Sequence, residues 1–436
     1  MRIAVVGAGY VGLASALAWS HLGHDVRVLE RDARRVGALR RHDDPLGEPL
    51  VPELLDASDL LVTSDASEAF ARADMVAVAV GTPQTHGGRA DLSALDAACA
   101  TIAQAARPGT VVVRSTVPVG TADRLQRDVL HRSAVVSNPE FLREGRAIAD
   151  MLRPDRVLAG GEGGQRDLIE ALYAPILGQS FTPVAELRPD LTPRALVWTD
   201  RRSAELAKYA ANAFLATKLS FVNELANVAA TTGSDIRAVI EVLRLDPRIG
   251  EAFLRPGLGW GGSCFPKDTR ALEALAMDRG YDFNILRAVI EQNRRQLDRF
   301  VALIEGELGA RRDVRIALLG LAFKSGTADC RESPAVALAQ RLVERGWSVR
   351  AYDPAVRERP CELPAAVALC DDIRDAALGA DAIVIATEWE AFARDLTALR
   401  EVTRDDLLFD GRCLVDPGDA AAAGFRYFGI CPATRH

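Results

Sequence analysis

The sequence predicts an α/β protein with two doubly wound parallel-sheet domains joined by a long central helical segment. Three observations predict it. Residues 2–30 read as a short apolar strand, a glycine turn, an apolar helix and a second strand ending on an acid. The pattern begins again near residue 314: Val314–Gly320 echoes Met1–Gly7, Arg345–Asp353 echoes Leu22–Glu30, and Ala380–Ala386 echoes Ala73–Ala79. Between the repeats, Asp200–Thr232 carries small and apolar residues on most sides, as expected of a helix buried between domains or subunits. The expected division is 1–195, a Rossmann domain for a dinucleotide; 200–308, a central helical segment; and 311–436, a second Rossmann-like domain.

Composition narrows the function. At 436 residues the chain has room for several cores, and 49% hydrophobic with 26% charged residues is ordinary for a globular protein. The net charge of −7, with basic residues scattered, points away from nucleic acid and membrane surfaces. Met1–Gly7 enters a strand directly, which leaves no room for a signal peptide and makes the cytoplasm the expected location. Seven widely spaced cysteines without a CxxC, and six histidines that do not pair with them, argue against disulfides and zinc, so no metal is expected. Only four of the 53 basic residues are lysines: Lys208, Lys218, Lys267 and Lys324. In so arginine-rich a chain, lysine should persist mainly where a compact or titratable ammonium matters.

In chain order, Gly7-Ala-Gly9-Tyr-Val-Gly12 opens the first helix, where glycines give the tight turn and close packing and the first amides face a pyrophosphate. Glu30 ends the second strand, placed to accept from the adenosine ribose; its charge favours NAD over NADP, although Arg31 and Arg35 leave NADP open. Strands at Asp74–Val80, Thr110–Val113 and Ala134–Ser137 end in Gly81-Thr82-Pro83, Ser115-Thr116-Val117-Pro118 and Asn138-Pro139-Glu140, the crevice edge of an open sheet. Glu140 and Glu144 at that edge are candidate site carboxylates, or solvated loop charge. Lys208 and Asn212 lie at i and i+4 and share a helix face. A second helical run is expected from Asp268 to about Leu308, and Leu408–Asp416 should close the second sheet. That second domain has Phe323-Lys324 where the glycine turn would finish, so it should take a different ligand.

The densest stretch is Gly257-Leu-Gly-Trp-Gly-Gly-Ser-Cys-Phe-Pro-Lys-Asp268. Its glycines would let a ligand lie against the main chain, and Pro266 suits the first turn of a helix over Thr269–Arg279. Cys264 then sits just before a helix N-terminus beside Lys267, both of which favour the thiolate. Asp268 opposes the thiolate and fits a proton acceptor. The plainer reading is an inert buried cysteine in a glycine-rich turn.

With these residues in hand the whole chain resembles the UDP-glucose/GDP-mannose dehydrogenase family. The resemblance is carried by Gly7–Gly12, Ser115–Gly120, Ser137–Gly145, Ala204–Phe214, Arg248–Gly250, Gly259–Asp268, Ala322–Lys324 and Asp410–Arg412, spread over all three segments in order. It implies oxidation of a nucleotide sugar's primary alcohol to a carboxylate, with two hydrides passing to NAD in turn. It further implies that Cys264 is the nucleophile, that Lys208 and Asn212 stabilise the oxyanion, that Asp268 with Thr116 handles water, and that Glu144 assists thioester hydrolysis. Cofactor contacts implied are Gly7, Gly9, Tyr10, Val11, Gly12, Glu30, Arg35, Thr82, Pro83, Ser115, Thr116, Glu144, Lys267 and Arg331. Substrate contacts implied are Glu140, Phe141, Leu142, Arg143, Lys208, Asn212, Arg255, Gly257, Gly261, Phe323, Lys324 and Arg412. Arg248 matches a position that reaches a neighbouring subunit's site, which implies a homodimer through the central helices.

Departures from the family pattern are Glu30 where Asp is commoner, Arg114 where Lys often stands, a 44–49 loop lacking its usual aromatic, and an irregular Leu243-Arg-Leu245. No role attaches to residues 39–55. Gly-Gly-Ser-Cys-Phe-Pro-Lys-Asp looks more like the family's UDP-glucose branch than its other branches, so UDP-glucose is the expected substrate. GDP-mannose or a UDP-N-acetylhexosamine is the second reading, and a non-catalytic nucleotide-binding scaffold the third.

Overall fold

The computed structural model describes residues 1–105, 108–190, 192–309 and 311–432. It divides into two compact units, the first from Met1 to Ala211 and the second from Asn212 onward.

The first unit is an eight-stranded sheet in the order β3-β2-β1-β4-β5-β6-β7-β8. The strands are β1 Arg2–Val6, β2 Asp25–Leu29, β3 Leu61–Thr63, β4 Met75–Val78, β5 Thr110–Val113, β6 Ala134–Ser137, β7 Arg156–Gly160 and β8 Ala195–Thr199. Strands such as Thr-Val-Val-Val and Met-Val-Ala-Val are buried throughout, as expected where helices cover both faces of a parallel sheet. Ile3 stands opposite Val26 on one side and Met75 on the other, so β1 is the hub from which the chain winds in both directions. Between β1 and β4 lies the switch point where ligands of such sheets bind. One pairing departs from the parallel pattern: β6 meets β7 antiparallel at Ser137 and Gly160, so β7 and β8 run against the other six strands.

The second unit holds a six-stranded, wholly parallel sheet in the order β11-β10-β9-β12-β13-β14. Its strands are β9 Arg315–Leu319, β10 Ser348–Tyr352, β11 Ala368–Leu369, β12 Ala382–Ile385, β13 Leu407–Asp410 and β14 Arg426–Gly429. This is the same winding as the first six strands of the first unit, so the internal echo in the sequence is an echo of topology. The long helix Arg201–Thr232 carries the chain from the first unit into the second.

Three expectations are corrected. The helical run over 268–308 is two helices, Phe265–Asp278 and Asn284–Leu308. Gly280 takes φ +74, its amide donates to Met277 O at 2.9 Å and Tyr281 N donates to Ala276 O at 2.9 Å, a left-handed termination that ends the first helix. Second, the sheet closes on β14 and not on β13. Third, Cys413 and Cys431 form a disulfide with Cα atoms 5.5 Å apart. They lie 18 residues apart in sequence, beyond the ends of the paired strands β13 and β14, and strand pairing brings them side by side. Spacing alone gives no sign of this.

Among the described residues no helix is long and apolar enough to cross a membrane, and no cluster of His, Cys, Asp and Glu is arranged to hold a metal.

Candidate active site

In the first unit the glycine turn works by three different physical means. Gly7 has φ +96, and a Cβ there would stand 2.7 Å from Ala79 O. At Gly12 a Cβ would come within 1.9 Å of Gly7 O, so only glycine lets the helix start pack on the turn. Gly9, the residue that caps helix Tyr10–His21, has nothing within 4 Å of where its Cβ would be. The open side of the turn is thus the one facing the helix N-terminus, where a pyrophosphate is held by amides. Glu30 is buried; its carboxylate accepts from Ala8 N at 2.8 Å and Asp32 N at 2.9 Å, with Arg35 Nη1 at 3.5 Å. It therefore fastens the turn as well as offering an acid at the end of β2.

The loops after β4, β5 and β6 converge as the sequence suggested. Thr82 Oγ1 donates to Thr116 O at 2.7 Å, and Ser115 Oγ donates to Val80 O at 2.7 Å. Tyr10 OH donates to Arg143 O at 2.8 Å and ties the first helix to the loop after β6. Burial, together with the charges of Glu48 and Glu144, pushes the Tyr10 hydroxyl far above its ordinary range, so it stays a donor.

Lys208 Nζ and Glu140 Oε1 form a buried ion pair at 3.2 Å, and Phe141 presents its ring 5.4 Å from the same ammonium. Burial alone would raise the Glu140 carboxyl. The Lys208 charge, the Leu142 amide and Arg114 outweigh burial and hold it below the ordinary carboxylate range. Arg143 is turned to Asp150 by a two-pronged contact, Nη2 to Oδ1 at 2.6 Å and Nε to Oδ2 at 2.9 Å.

In the second unit Cys264 caps the helix Phe265–Asp278, and its Sγ stands 3.5 Å from Ser263 Oγ. Asp268, 1% exposed, has both oxygens engaged: Lys267 Nζ donates to Oδ1 at 2.5 Å and Asn212 Nδ2 donates to Oδ2 at 2.6 Å. Lys267 is thus committed to the aspartate, which places its charge on the acid more directly than on the thiol. Asn212 is four residues on from Lys208 along one continuous helix, so the two share a face.

The glycines before Cys264 have a reason other than the one expected. A Cβ on Gly261 would meet Glu332 O at 2.1 Å, one on Gly262 would meet the Phe323 ring at 2.9 Å, and one on Gly257 would meet Arg412 Nη1 at 2.8 Å. These residues make room for protein, and Gly262 N donates to Arg331 O at 3.1 Å. They thereby bring Cys264, Phe323, Arg331 and Arg412 into one neighbourhood. Arg412 pairs with Glu388, whose carboxyl burial would raise but which Arg412 holds low. Lys324 Nζ lies 5.8 Å from the Phe323 ring. Arg331 pairs with Asp329 and exposed Arg248 pairs with Asp246, so both guanidiniums are engaged by a carboxylate two residues away; Arg255 is exposed.

Two glutamates carry more than the sequence suggests. Glu48 accepts from Gly145 N at 2.6 Å and Ala147 N at 3.2 Å. Glu48 lies between helices Ala33–Arg40 and Val51–Asp56, which take up both ends of the 39–55 stretch, and it thereby holds the start of helix Ala147–Leu152, just after Glu144. Glu205 accepts from Gly120 N at 2.6 Å and Ala122 N at 2.8 Å. Neither carries a local signal beyond being a glutamate in an otherwise apolar or turn context, because the partners lie 97 and 85 residues away.

A glycine turn open only at the amide end of a helix, an acid closing β2, and a second sheet of the same winding that lacks that turn define a nucleotide-binding α/β protein with two doubly wound sheets. Comparison with known proteins agrees. Residues 1–177 match the NAD binding domain, 202–295 the central domain and 317–417 the UDP binding domain of the UDP-glucose/GDP-mannose dehydrogenase family. The chain belongs to that family, and its cofactor is NAD. Among its relatives, a UDP-glucose 6-dehydrogenase from Pseudomonas aeruginosa is 43% identical over 99% of this chain and 97% of its own length. One from Rhizobium meliloti is 40% identical over 99% of each chain. The solved UDP-glucose dehydrogenase of Pyrobaculum islandicum superimposes with a TM-score of 0.88 at 34% identity, covering 99% of this chain and 98% of that one.

Proposed function

We propose that the protein oxidises UDP-glucose to UDP-glucuronate, reducing two NAD per sugar, through a covalent adduct on Cys264. The observation that carries this reading is the Lys267–Asp268–Asn212 chain, with its aspartate and asparagine buried and the aspartate set one turn into the helix that Cys264 caps. The names of the relatives support the choice of sugar.

NAD, held by Gly7–Gly12, Glu30 and the Thr82-Pro83 and Ser115-Thr116 loops, supplies the hydride acceptor. Asp268 activates a water, ordered with the help of Thr116, that takes up the proton as the C6 alcohol becomes an aldehyde. The Cys264 sulfur then adds to the carbonyl, and the new oxyanion is met by Lys208 and Asn212. A buried, compact ammonium suits that role because little solvent screens it. Loss of the second hydride leaves a thioester, which water cleaves with Glu144 assisting, returning the thiol and releasing the carboxylate. Glu140, Phe141, Lys324 and Arg412 are assigned to the nucleotide sugar, and the three-segment division follows the roles: NAD, catalytic helices, UDP.

The protein is further proposed to be a homodimer. Phe214, Phe221 and Val228 repeat every seven residues along the long helix and are 66%, 57% and 54% exposed, an apolar stripe that a second copy would cover. A cytoplasmic location agrees with the need for NAD and a nucleotide sugar, though the Cys413–Cys431 disulfide is unusual there.

The test is NADH formed per UDP-glucose consumed, run to completion. A ratio near two supports the full oxidation; a ratio near one means the aldehyde is released and the Cys264 adduct is not formed. Parallel assays with GDP-mannose and UDP-N-acetylhexosamines test the sugar, and a clear preference for either overturns the choice.

A further inference from the structure

Glu205 has no part in the chemistry just described, yet it is 3% exposed and joins three segments that do. It projects from the long helix one turn before Lys208. Its Oε2 accepts from Gly120 N at 2.6 Å and its Oε1 from Ala122 N at 2.8 Å, so it takes two of the otherwise unpartnered amides at the start of helix Thr121–Asp128. Ser137 Oγ, on the last residue of β6, lies 3.4 Å from Oε1. The turn it caps, Ser115–Gly120, contains Thr116, and β6 leads straight to Glu140, the partner of Lys208.

We infer that Glu205 is a positioning residue, a buried strut that sets the height of Thr116 and Glu140 against Lys208; the inference rests on the function proposed above. A helix of eight residues would ordinarily be capped by its own preceding side chain, but Gly120, at φ +93, has none. The cap comes instead from residue 205, so the loop cannot shift without pulling on the long helix.

The charges around Glu205 are few. On helix Thr121–Asp128 the nearest is Asp123, itself held by Arg201 and Arg202 from the long helix; β6 offers only the Ser137 hydroxyl; further along its own helix is Lys208, committed to Glu140. Burial first, with a smaller push from Asp123, raises the carboxyl to about 7 against the pull of the two amides. Protonation removes acceptor capacity that the two amides use, so the strut should slacken on the acid side of neutrality.

Two measurements test this on the full-length protein. Amide exchange over residues 119–124 should quicken by about tenfold or more in Glu205→Ala and less in Glu205→Gln, which keeps one carbonyl acceptor in the same volume. In steady-state assays, Glu205→Gln should lower kcat about tenfold while KM for NAD and UDP-glucose stays within about twofold. The wild-type acid limb near pH 7 should be absent from that variant. Unchanged exchange in both variants overturns the strut. Quickened exchange with wild-type kcat and an unchanged pH profile also overturns the positioning role and leaves a structural cap. If the wild type itself fails to turn over UDP-glucose, the proposed function fails, while the exchange comparison still decides whether Glu205 fastens the turn.

Discussion

Asp268 is a tightly held polar residue, because each of its oxygens already has a charged or amide donor. Replacing it by Ala would leave Lys267 and Asn212 without their acceptor, whereas Cys264→Ser changes one atom at a position whose side chain does not cap its own helix. Cys264→Ser is therefore expected to bind NAD and UDP-glucose normally, by calorimetry, and to lose about three orders of magnitude or more in kcat. Normal turnover in that variant would end the covalent mechanism. The Lys208–Glu140 pair makes a stability prediction. Because the folded state holds Glu140 below its ordinary value, the pair contributes stability above the range where unfolded carboxylates titrate, and that stability is lost as pH falls through the lower folded value. Glu140→Gln removes the carboxylate 3.2 Å from the buried Lys208 ammonium and should cost about 3–5 kcal/mol at neutral pH. Denaturant melts between neutral and acid pH should show the difference between the two proteins shrinking as pH falls.

At the scale of single elements, the two glycine turns give opposite expectations for one substitution. Gly9→Ala meets open space and keeps an ordinary φ of −73, so the melting temperature should hold while KM for NAD rises. Gly261→Ala drives a methyl to 2.1 Å from the Glu332 carbonyl and should cost about 3 kcal/mol or more, seen as a lowered melting temperature without any ligand. A Gly261→Ala protein with wild-type stability would mean that this turn is free to move, and that its glycines serve the ligand after all. The same comparison separates glycines kept for packing from one kept for approach, which a sequence pattern cannot do.

On the scale of the whole molecule, the exposed apolar stripe on the long helix calls for a covering surface. Phe221→Glu should turn a dimer into a monomer in sedimentation experiments without altering the fold, since Phe221 is exposed; a wild type that sediments as a monomer would refute the dimer directly. The disulfide joins the strand-end segments of the second sheet. It closes a segment of 18 residues around β14 and should contribute about 3 kcal/mol, so reductant or Cys413→Ser should lower the melting temperature. The same melt in both redox states would show that the thiols are not joined in solution.

What the sequence determined by itself is what depends on local order. Buried parallel strands are short runs of Val, Ile and Ala; β5 and β6 were legible to the residue, and the long helix to within one residue of its start. The repeat of the winding, the NAD turn, the i, i+4 relation of Lys208 and Asn212, and the helix cap at Cys264 are also local, set by backbone conformation and spacing. The tertiary structure alone decided everything carried by partners far apart in the chain. It turned β7 and β8 against the rest of the sheet, paired Cys413 with Cys431, gave Asp268 its second donor in Asn212, and made the glycines before Cys264 a matter of packing against Glu332 and Phe323. It also found work for Glu48 and Glu205, whose amide partners sit on loops that sequence distance hides. A buried carboxylate takes its meaning from the donors around it, and those are fixed only when the sheet has brought the loops together.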